Sequence, residues 1–395
     1  MYIYADNAAT TKMSAAAINE LISKTTEEYG NPSSLHSIGQ KAAETLFNAR
    51  KMIADLLSAT EKNIFFTSGG SESDNMAILS AAEHGKKKNK RHIITTEFEH
   101  HAVLHTVEKL ERQGFEVTYL DVHENGVVSV SELESAIRED TALVSVMYAN
   151  NEIGTVQPIA EIGKVCYKHK VLFHTDAVQA AGHLHINVQE LGVDYLSLSA
   201  HKFGGPKGVG VLYARNRSLV HSLIEGGAQE FGKRGGTENV PAISAMAVAL
   251  KESCENIESS YGKVCQMRDR LIEGLLKIPH TVLNGDRISR LPGNVNVCFE
   301  GIEGESLLLM LDCKGIAASS GSACTSGSLE PSHVLLAIGR PHEIAHGSLR
   351  LSINHENTPD EIEKIISVTT EVVEKLRSMS PVWDDLQKGR KAHVI

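Results

Sequence analysis

A strand pattern runs into a lysine and a glycine-rich turn in the stretch Ser197-Leu198-Ser199-Ala200-His201-Lys202-Phe203-Gly204-Gly205-Pro206-Lys207-Gly208. The apolar run from Val193 to Leu198 predicts a buried strand of a parallel sheet, and ligand sites in such sheets lie past the carboxyl ends of the strands. Lys202 occupies that position. A buried amine has a lowered pKa and can act as a nucleophile in Schiff-base chemistry, although a surface lysine in a turn fits the same residues.

Short β-branched runs alternate with amphipathic helical patterns from about residue 50 onward. This alternation predicts an α/β fold in which helices cover both faces of a mainly parallel, seven-stranded sheet. Two of the helices are predicted at Glu72–His84 and Ile159–His169. The strands are predicted at Asn63–Thr67, His92–Thr96, Glu116–Asp121, Ala142–Met147, Val171–Thr175, Tyr195–Ser199 and Gly208–Tyr213.

The pattern changes past about residue 250 and predicts a smaller α+β domain. A long helix is predicted at Ala242–Leu276, and a last helix begins at Thr358 with a capping box. The tail that holds Trp383 fits either a disordered terminus or a docking element for a partner protein. We divide the chain into an N-terminal segment joining the small domain (1–15), a large domain (16–250), a small domain (251–379) and an exposed tail (380–395).

Composition excludes several classes of protein. The net charge of -10 over 395 residues argues against nucleic acid or an anionic membrane as a partner. No apolar run approaches the roughly 20 residues that span a bilayer, and the N-terminus lacks a signal-peptide pattern. The six cysteines form no C-x-x-C pair, which predicts a reduced, cytoplasmic protein without a stable metal site.

A second strand end carries glycines and serines. Strand Asn63–Thr67 is followed by Ser68-Gly69-Gly70-Ser71-Glu72-Ser73 and then by a helix. Glycines let backbone N–H groups approach an anion closely, and a helix N-terminus attracts it. The run therefore predicts a phosphate site, although a glycine turn with a serine cap fits it as well, and it matches no nucleotide fingerprint.

Three further strand ends carry side chains suited to an aromatic ring. Asp176, with Gln179 after it, can pair with a protonated ring nitrogen or cap a helix. Asn151 can bind a ring oxygen or shape a turn, and His100 can stack on a flat ring or lie at the surface. Because these groups join Lys202 at one edge of the sheet, they predict an aromatic, phosphorylated, lysine-linked cofactor.

Cys324 stands among nine small residues in Ser319-Ser320-Gly321-Ser322-Ala323-Cys324-Thr325-Ser326-Gly327-Ser328. Such a run cannot pack a core, so it predicts a mobile loop with an accessible thiol, against the alternative of an incidental cysteine. Arg350 lies in a β-like run, where its guanidinium suits a substrate carboxylate or a solvated strand face. Cys313, at the end of a leucine-rich helix, is predicted in the core.

These motifs resemble those of the cysteine desulfurases, which are fold-type-I enzymes that use pyridoxal 5'-phosphate (PLP). The resemblance covers nearly the whole chain in the family's order, and the Cys324 run is similar to the short form of the NifS/IscS group, leaning to the NifS branch. The matching motifs are Asp6–Thr11, Gly30–His36, Thr67–Asn75, Asn150–Glu152, His174–Gln179, Ser199–Gly205, Arg234–Asn239 and Ser319–Pro331.

The resemblance implies a role for each site residue. It implies that Lys202 carries PLP covalently, that His100 stacks on its ring and that Asp176 pairs with its ring nitrogen. Arg350, helped by Asn31, is implied to hold the substrate carboxylate. The implied cofactor-binding residues are Gly70, Ser71, His100, Asn151, Asp176, Gln179, Ser199, Ala200, His201, Lys202 and, from the second subunit of a homodimer with a shared active site, Thr237.

The implied activity is conversion of L-cysteine to L-alanine, with transfer of the sulfur to Cys324 as a persulfide. Lys202 takes the α-proton, Cys324 attacks the substrate sulfur, and His100 or the cofactor helps to form the thiolate. The sulfur would serve iron–sulfur cluster assembly through a scaffold protein, with only transient contact of a cluster with Cys324. Another PLP enzyme, such as an aminotransferase or a selenocysteine lyase, and a non-catalytic scaffold are the alternatives.

The chain departs from the family pattern at three places. Ser71 stands where threonine is usual, and Phe231 replaces a frequent arginine. Asn354 and His355 replace a common Gly-Arg or Ser-Arg pair. These departures concern the entrance of the site and the substrate pocket rather than the reaction.

Overall fold

The computed structural model describes residues 2–320 and 331–387. A seven-stranded sheet is formed by β2 to β8 in the order β2-β8-β7-β6-β5-β3-β4, and a three-stranded sheet has the order β12-β10-β9. The strands are β1 (Ile3–Tyr4), β2 (Ile64–Thr67), β3 (His92–Thr96), β4 (Glu116–Leu120), β5 (Thr141–Ser145), β6 (Leu172–Asp176), β7 (Tyr195–Ser199), β8 (Gly210–Ala214), β9 (Thr281–Leu283), β10 (Asn294–Phe299), β11 (Ile316–Ala317) and β12 (Ser348–Ser352).

Helices connect and cover these strands. The helices are α1 (Ala15–Glu27), α2 (Ser37–Leu56), α3 (Gly70–Lys86), α4 (His101–Glu111), α5 (Val130–Ala136), α6 (Ile159–His169), α7 (Val188–Leu191), α8 (Gln229–Gly232), α9 (Val240–Leu275), α10 (Gly304–Cys313), α11 (His333–Ala337), α12 (His342–Ala345), α13 (Pro359–Ser378) and α14 (Pro381–Gln387). In the described parts of the chain, no helix is long and apolar enough to cross a membrane.

The large sheet confirms the predicted fold class. Six of its strands run in one direction, and β8 is antiparallel to both of its neighbours. Every residue of β2, β3, β5, β7 and β8 is buried, as expected for strands covered on both faces. All seven predicted strands are present, within two residues at each end. The polar residues that follow these strands therefore share one edge of the sheet.

A separate core surrounds the small sheet and includes Ile3 and Ala5 from the N-terminus. The N-terminal strand β1 pairs in parallel with β11, far along the chain. The 36-residue helix α9 packs against α1 and α2 and reaches the small core with its second half. The sequence pattern did not predict β1, β9 or β11, because strands of two or three residues have no measurable periodicity. The prediction of Cys313 in the core was wrong: it ends α10 in an exposed position, and the buried face of that helix carries Leu307 and Leu311 instead.

The last described helix, α14, contacts α13 and the segment before β9 through Trp383, and none of its residues is buried. The guanidinium of Arg377 lies 4.0 Å from the ring centroid of Trp383, and the ring of His280 meets it edge-on at 5.2 Å. A capping box at Thr358 and Glu361 begins α13, as predicted. The rest of the predicted tail, residues 388–395, lies outside the described residues.

Candidate active site

A cavity of about 370 Å³ lies past the carboxyl ends of β5, β6 and β7. Ten of the fourteen residues predicted as site residues line it. The lining residues are Ala8, Ala9, Gly70, Ser71, Asp74, His100, His101, Met147, Asn151, Glu152, Asp176, Val178, Gln179, Ser199, His201, Lys202, His333 and Arg350. The convergence of strand ends expected from the sequence is therefore present in the fold.

Lys202 presents its amine to the N-terminal segment. Its Nζ donates hydrogen bonds to the carbonyl oxygens of Ala8, at 2.6 Å, and Ala9, at 2.8 Å. Gln179 Nε2 donates to the same Ala8 oxygen, at 3.0 Å. Main-chain carbonyls thus hold the predicted nucleophile at the cavity wall.

The glycine-rich turn after β2 brings backbone and hydroxyl groups to the start of α3. Gly69 has φ of 155°, a value that favours glycine, and a Cβ on Gly70 would lie 2.6 Å from Val178 Cγ2. Ser71 and Ser199 line the cavity beside this turn. Free N–H groups in the first turn of a 17-residue helix, together with two hydroxyls, suit a phosphate.

Asp176 ends β6 and is 5% exposed. Its Oδ1 accepts the backbone N–H of Val178 at 2.9 Å. Burial, and after it the charge of Asp74, raise the pKa of Asp176 to about 7. A cation placed against this carboxylate would lower that pKa again, so the group is suited to pair with a protonated ring nitrogen.

Asp74 of α3 is a second buried carboxyl on this side of the cavity, with an exposure of 1%. Burial raises its pKa to about 7, and its Oδ1 has no hydrogen-bond partner. That oxygen lies 3.5 Å from Nε2 of His174, whose pKa burial lowers to about 4. His174 in turn contacts the hydroxyls of Ser145, at 2.9 Å, and Ser197, at 3.1 Å.

His100 caps the N-terminus of α4. Its Nδ1 accepts the backbone N–H of Ala102 at 3.1 Å. Burial, followed by the charge of Lys202, lowers the pKa of His100 to about 4, so the ring is neutral. Because Nδ1 acts as an acceptor, the proton of the neutral ring is on Nε2. His100 can therefore present a flat, uncharged ring and a hydrogen-bond donor, its Nε2–H.

Arg350 lies at the opposite side of the cavity and is 2% exposed. Its Nη2 donates to Asp6 Oδ1 at 2.9 Å, and its Nη1 donates to the carbonyl oxygen of Asn151 at 3.2 Å. Its Nε has no hydrogen-bond partner within the described residues. A buried, unsatisfied guanidinium N–H at a cavity is suited to a carboxylate ligand.

Glu152, next to Arg350, is a further buried carboxyl. Burial raises its pKa to about 7, although a hydrogen bond from Ser332 and the charge of Arg350 act to lower it. The Ser332 hydroxyl donates to Glu152 Oε2 at 2.5 Å, and Asn294 and Asn296 both donate to the Glu152 carbonyl oxygen. Glu152 thereby ties the loop after β5 to the small core.

Four predicted site residues stand apart from the cavity lining. Ala200 is fully buried behind it. Asn31 and Thr237 are exposed on the surface of the single chain. Cys324 lies outside the described residues. The sequence prediction omitted Asp74, Glu152, His101, His333 and the Ala8 and Ala9 carbonyls, although the motifs Asp6–Thr11, Thr67–Asn75 and Asn150–Glu152 contained most of them.

Of the three departures from the family pattern, Ser71 lines this cavity, whereas Phe231 and the Asn354–His355 pair lie outside its lining. The ring of Phe231 lies 4.4 Å from the guanidinium of Arg217 and 5.1 Å from that of Arg50. Asn354 and His355 line a separate cavity of about 380 Å³ between α1, α9 and the loop after β12. Phe231 therefore lies between Arg217 and the buried Arg50, which is paired with Glu230. His355 lines the second cavity, which shares Lys202 with the first.

Comparison with known proteins identifies the family. The class-V aminotransferase family matches residues 3–365. The cysteine desulfurase IscS of Methanosarcina thermophila is 55% identical over 380 residues, which cover 96% of this chain and 94% of the relative. The chain belongs to the cysteine desulfurase family. The resemblance inferred from the motifs is thereby confirmed.

Further members of the cysteine desulfurase family agree with this assignment. The cysteine desulfurase IscS of Clostridium botulinum (strain Hall) is 50% identical over 98% of both chains. A solved NifS-like protein superimposes with a TM-score of 0.89 at 38% identity, covering 95% of this chain and all of that one. A structure of SspA in complex with cysteine has a TM-score of 0.80 at 36% identity, covering 90% and 100% of the two chains.

The cavity fits the PLP that this family uses. The helix terminus with Ser71 and Ser199 suits the phosphate, the buried Asp176 suits the ring nitrogen, and the Lys202 amine lies at the same wall. In the described parts of the chain, no group of three or more His, Cys, Asp or Glu side chains is arranged to hold a metal ion.

Proposed function

We propose that the chain is a PLP-dependent sulfurtransferase that converts L-cysteine to L-alanine and takes the sulfur onto Cys324 as a persulfide. The observation that carries this proposal is the meeting of Lys202, Asp176 and Arg350 in one cavity of a cysteine desulfurase. These three groups suit covalent attachment of the cofactor, charge on its ring and capture of an amino-acid carboxylate, respectively.

The cofactor site proposed here uses the residues on the sheet edge. Gly70, Ser71, Ser199 and His201 hold the phosphate, and Asp176 holds the proton of the ring nitrogen. His100 covers the ring, while Asn151 and Gln179 address its oxygen. PLP bound in this way supplies an electron sink for negative charge at the substrate α-carbon.

The chain's own groups then move the protons and the sulfur. The unsatisfied Nε of Arg350 orients the substrate carboxylate, so that the α-proton faces the Lys202 amine, which removes it. The Cys324 thiolate attacks the substrate sulfur, a sulfur–sulfur bond forms and the carbon–sulfur bond breaks. Its electron pair stays with the substrate carbon, which is protonated and leaves as alanine. The proton that leaves the Cys324 thiol balances the proton that this carbon takes up. The neutral His100, with its proton on Nε2, can donate a hydrogen bond to the reacting groups.

The same proposal includes a homodimer with a shared active site. Thr237 is exposed and does not line the cavity of its own chain, which suits a residue that completes the phosphate site of a second copy. Asn31, also exposed, is proposed to assist Arg350 from the entrance. An iron–sulfur scaffold protein as sulfur acceptor and a cytoplasmic location belong to this proposal as well.

The test compares alanine and sulfide release from L-cysteine, with a reductant, in the native protein, Cys324→Ala and Lys202→Ala. Equal amounts of both products from the native protein, and neither from the variants, are expected. Cys298→Ala is the matched control, because that buried thiol lies outside the cavity lining. Native release of alanine and sulfide by Cys324→Ala would reject the persulfide and favour a related lyase.

A further inference from the structure

The segment Asp6-Asn7-Ala8-Ala9 runs along the cavity from Arg350 to Lys202, yet it has no role in the proposed reaction. At one end, Asp6 Oδ1 accepts Arg350 Nη2 at 2.9 Å. At the other end, the Ala8 and Ala9 carbonyls accept Lys202 Nζ at 2.6 and 2.8 Å. One short piece of chain therefore contacts both the group that receives the α-proton and the group that suits the carboxylate.

Hydrogen bonds to β12 hold this segment in place. The backbone N–H and the side-chain amide of Asn7 both donate to the Ser352 carbonyl, at 3.1 and 2.8 Å. The Ala8 N–H donates to Ser352 Oγ at 2.8 Å. The Ala9 N–H closes a turn onto the Asp6 carbonyl at 3.0 Å. Because hydrogen bonds fix each residue of this segment, the segment sets the distance between Arg350 and Lys202.

Arg350 depends on Asp6 for its orientation. Its guanidinium is nearly fully buried, and Asp6 supplies its charged hydrogen-bond partner. Glu152 is a second carboxyl within electrostatic reach. Because a buried guanidinium left without a charged partner is costly, Arg350 in a chain without Asp6 would lose its fixed orientation and turn to Glu152, which would then compete with a substrate carboxylate.

We propose that Asp6 is a positioning residue that aims the Arg350 guanidinium at the carboxylate of the amino-acid substrate, at the spacing from Lys202 that the segment sets. This inference rests on the proposed function. It predicts that Asp6 acts only on ligands that have a carboxylate, because it acts through Arg350. Asp6 itself does not line the cavity.

The test measures binding of two small probes to the holoenzyme by calorimetry, so that it does not depend on turnover. L-alanine carries the amine and the carboxylate, whereas cysteamine carries the amine and thiol without a carboxylate. Loss of one charge-assisted hydrogen bond predicts that Asp6→Ala weakens L-alanine binding about tenfold and leaves cysteamine binding unchanged. Asp6→Asn, which keeps an acceptor oxygen, should lose less.

Two controls separate this role from a general effect on folding. Asp55→Ala removes an exposed aspartate whose partner is Lys51, and it should leave both probes unaffected. In an Arg350→Gln background, Asp6→Ala should cause no further loss of L-alanine binding, since the two residues act as a unit. Native L-alanine binding in Asp6→Ala, or an equal loss for both probes, would overturn the proposal. If the native protein releases neither alanine nor sulfide, while Asp6→Ala still loses L-alanine binding and keeps cysteamine binding, only the proposed function is rejected.

Discussion

The two sides of the cavity are built differently. On the sheet side, Asp176 and Ser199 end β6 and β7, and Lys202 follows β7. Main-chain hydrogen bonds between these strands set their positions. On the junction side, Asp6, Glu152 and Arg350 come from three distant segments. Asp6 pairs with the Arg350 guanidinium, and the Glu152 carboxyl lies within electrostatic reach of it. The comparison teaches that the groups suited to the cofactor have a rigid support, whereas those suited to the substrate carboxylate depend on one another.

The difference predicts distinct kinetic losses. We expect Asp176→Asn, on the sheet side, to lower kcat for desulfuration by about a hundredfold or more, because a preorganised charge against the ring is lost. Its KM should change little, since the junction side is intact. Steady-state kinetics together with the visible absorbance of the bound cofactor measure both quantities, and a native kcat would refute the role of Asp176.

On the junction side, Glu152→Gln should change how the binding of L-alanine depends on pH. Burial raises the pKa of Glu152 to about 7, so the group is neutral below that pH and charged above it. The charged form competes with a bound carboxylate for Arg350. The dissociation constant of L-alanine should therefore rise about threefold or more as pH increases from 6 to 8, a change that corresponds to less than one charge-assisted hydrogen bond.

The Glu152→Gln variant should lose that rise, because its amide does not titrate. Titration of the L-alanine probe itself is common to the native protein and the variant, so it cancels when their two pH profiles are compared. Glu134→Gln is the control, as Glu134 forms a surface pair with Lys168. A parallel pH profile in native protein and Glu152→Gln would show that Glu152 does not compete at Arg350.

The last expected effect concerns stability rather than binding or turnover. The pKa of Asp74 is raised in the folded chain to about 7, so its contribution favours folding below the unfolded value and is lost as pH rises through 7. Asp74→Asn should therefore increase the free energy of unfolding of the cofactor-free protein at pH 8 by about 1–3 kcal/mol. Little change is expected at pH 4.

Urea unfolding at the two pH values measures this difference. Asp55→Asn, at an exposed position, serves as the matched control. If Asp74→Asn instead destabilises the protein at pH 8, the charged carboxylate of Asp74 has a compensating partner. The unpartnered Oδ1 of Asp74 would then not be a cost to folding.

The sheet side could be predicted from the sequence because its geometry follows from periodicity. Buried strands are recognised by their apolar runs, and the residue after each strand must lie at the same sheet edge. Lys202 and Asp176 both line the cavity, as do the predicted Gly70 and, one helical turn beyond it, Asp74.

The junction side could not be derived from the residues alone. The Asp6–Arg350 contact joins residues 344 positions apart, through the two-residue strand β1, which no periodic pattern reveals. Nothing local in the sequence distinguishes Arg350 from a solvated strand arginine. Its assignment as the carboxylate-binding group came from the family resemblance, and its burial and its bond to Asp6 required the fold.

The Lys202 contact with Ala8 and Ala9 has a practical consequence for mutagenesis. Both acceptors are main-chain carbonyls, so every side-chain substitution at these two positions leaves the oxygens in place. An alanine scan, in which both positions already hold the scanning residue, is blind to the contact. Only a change in the backbone itself, such as an ester in place of the amide or a shortened N-terminus, would reveal how much the lysine depends on it.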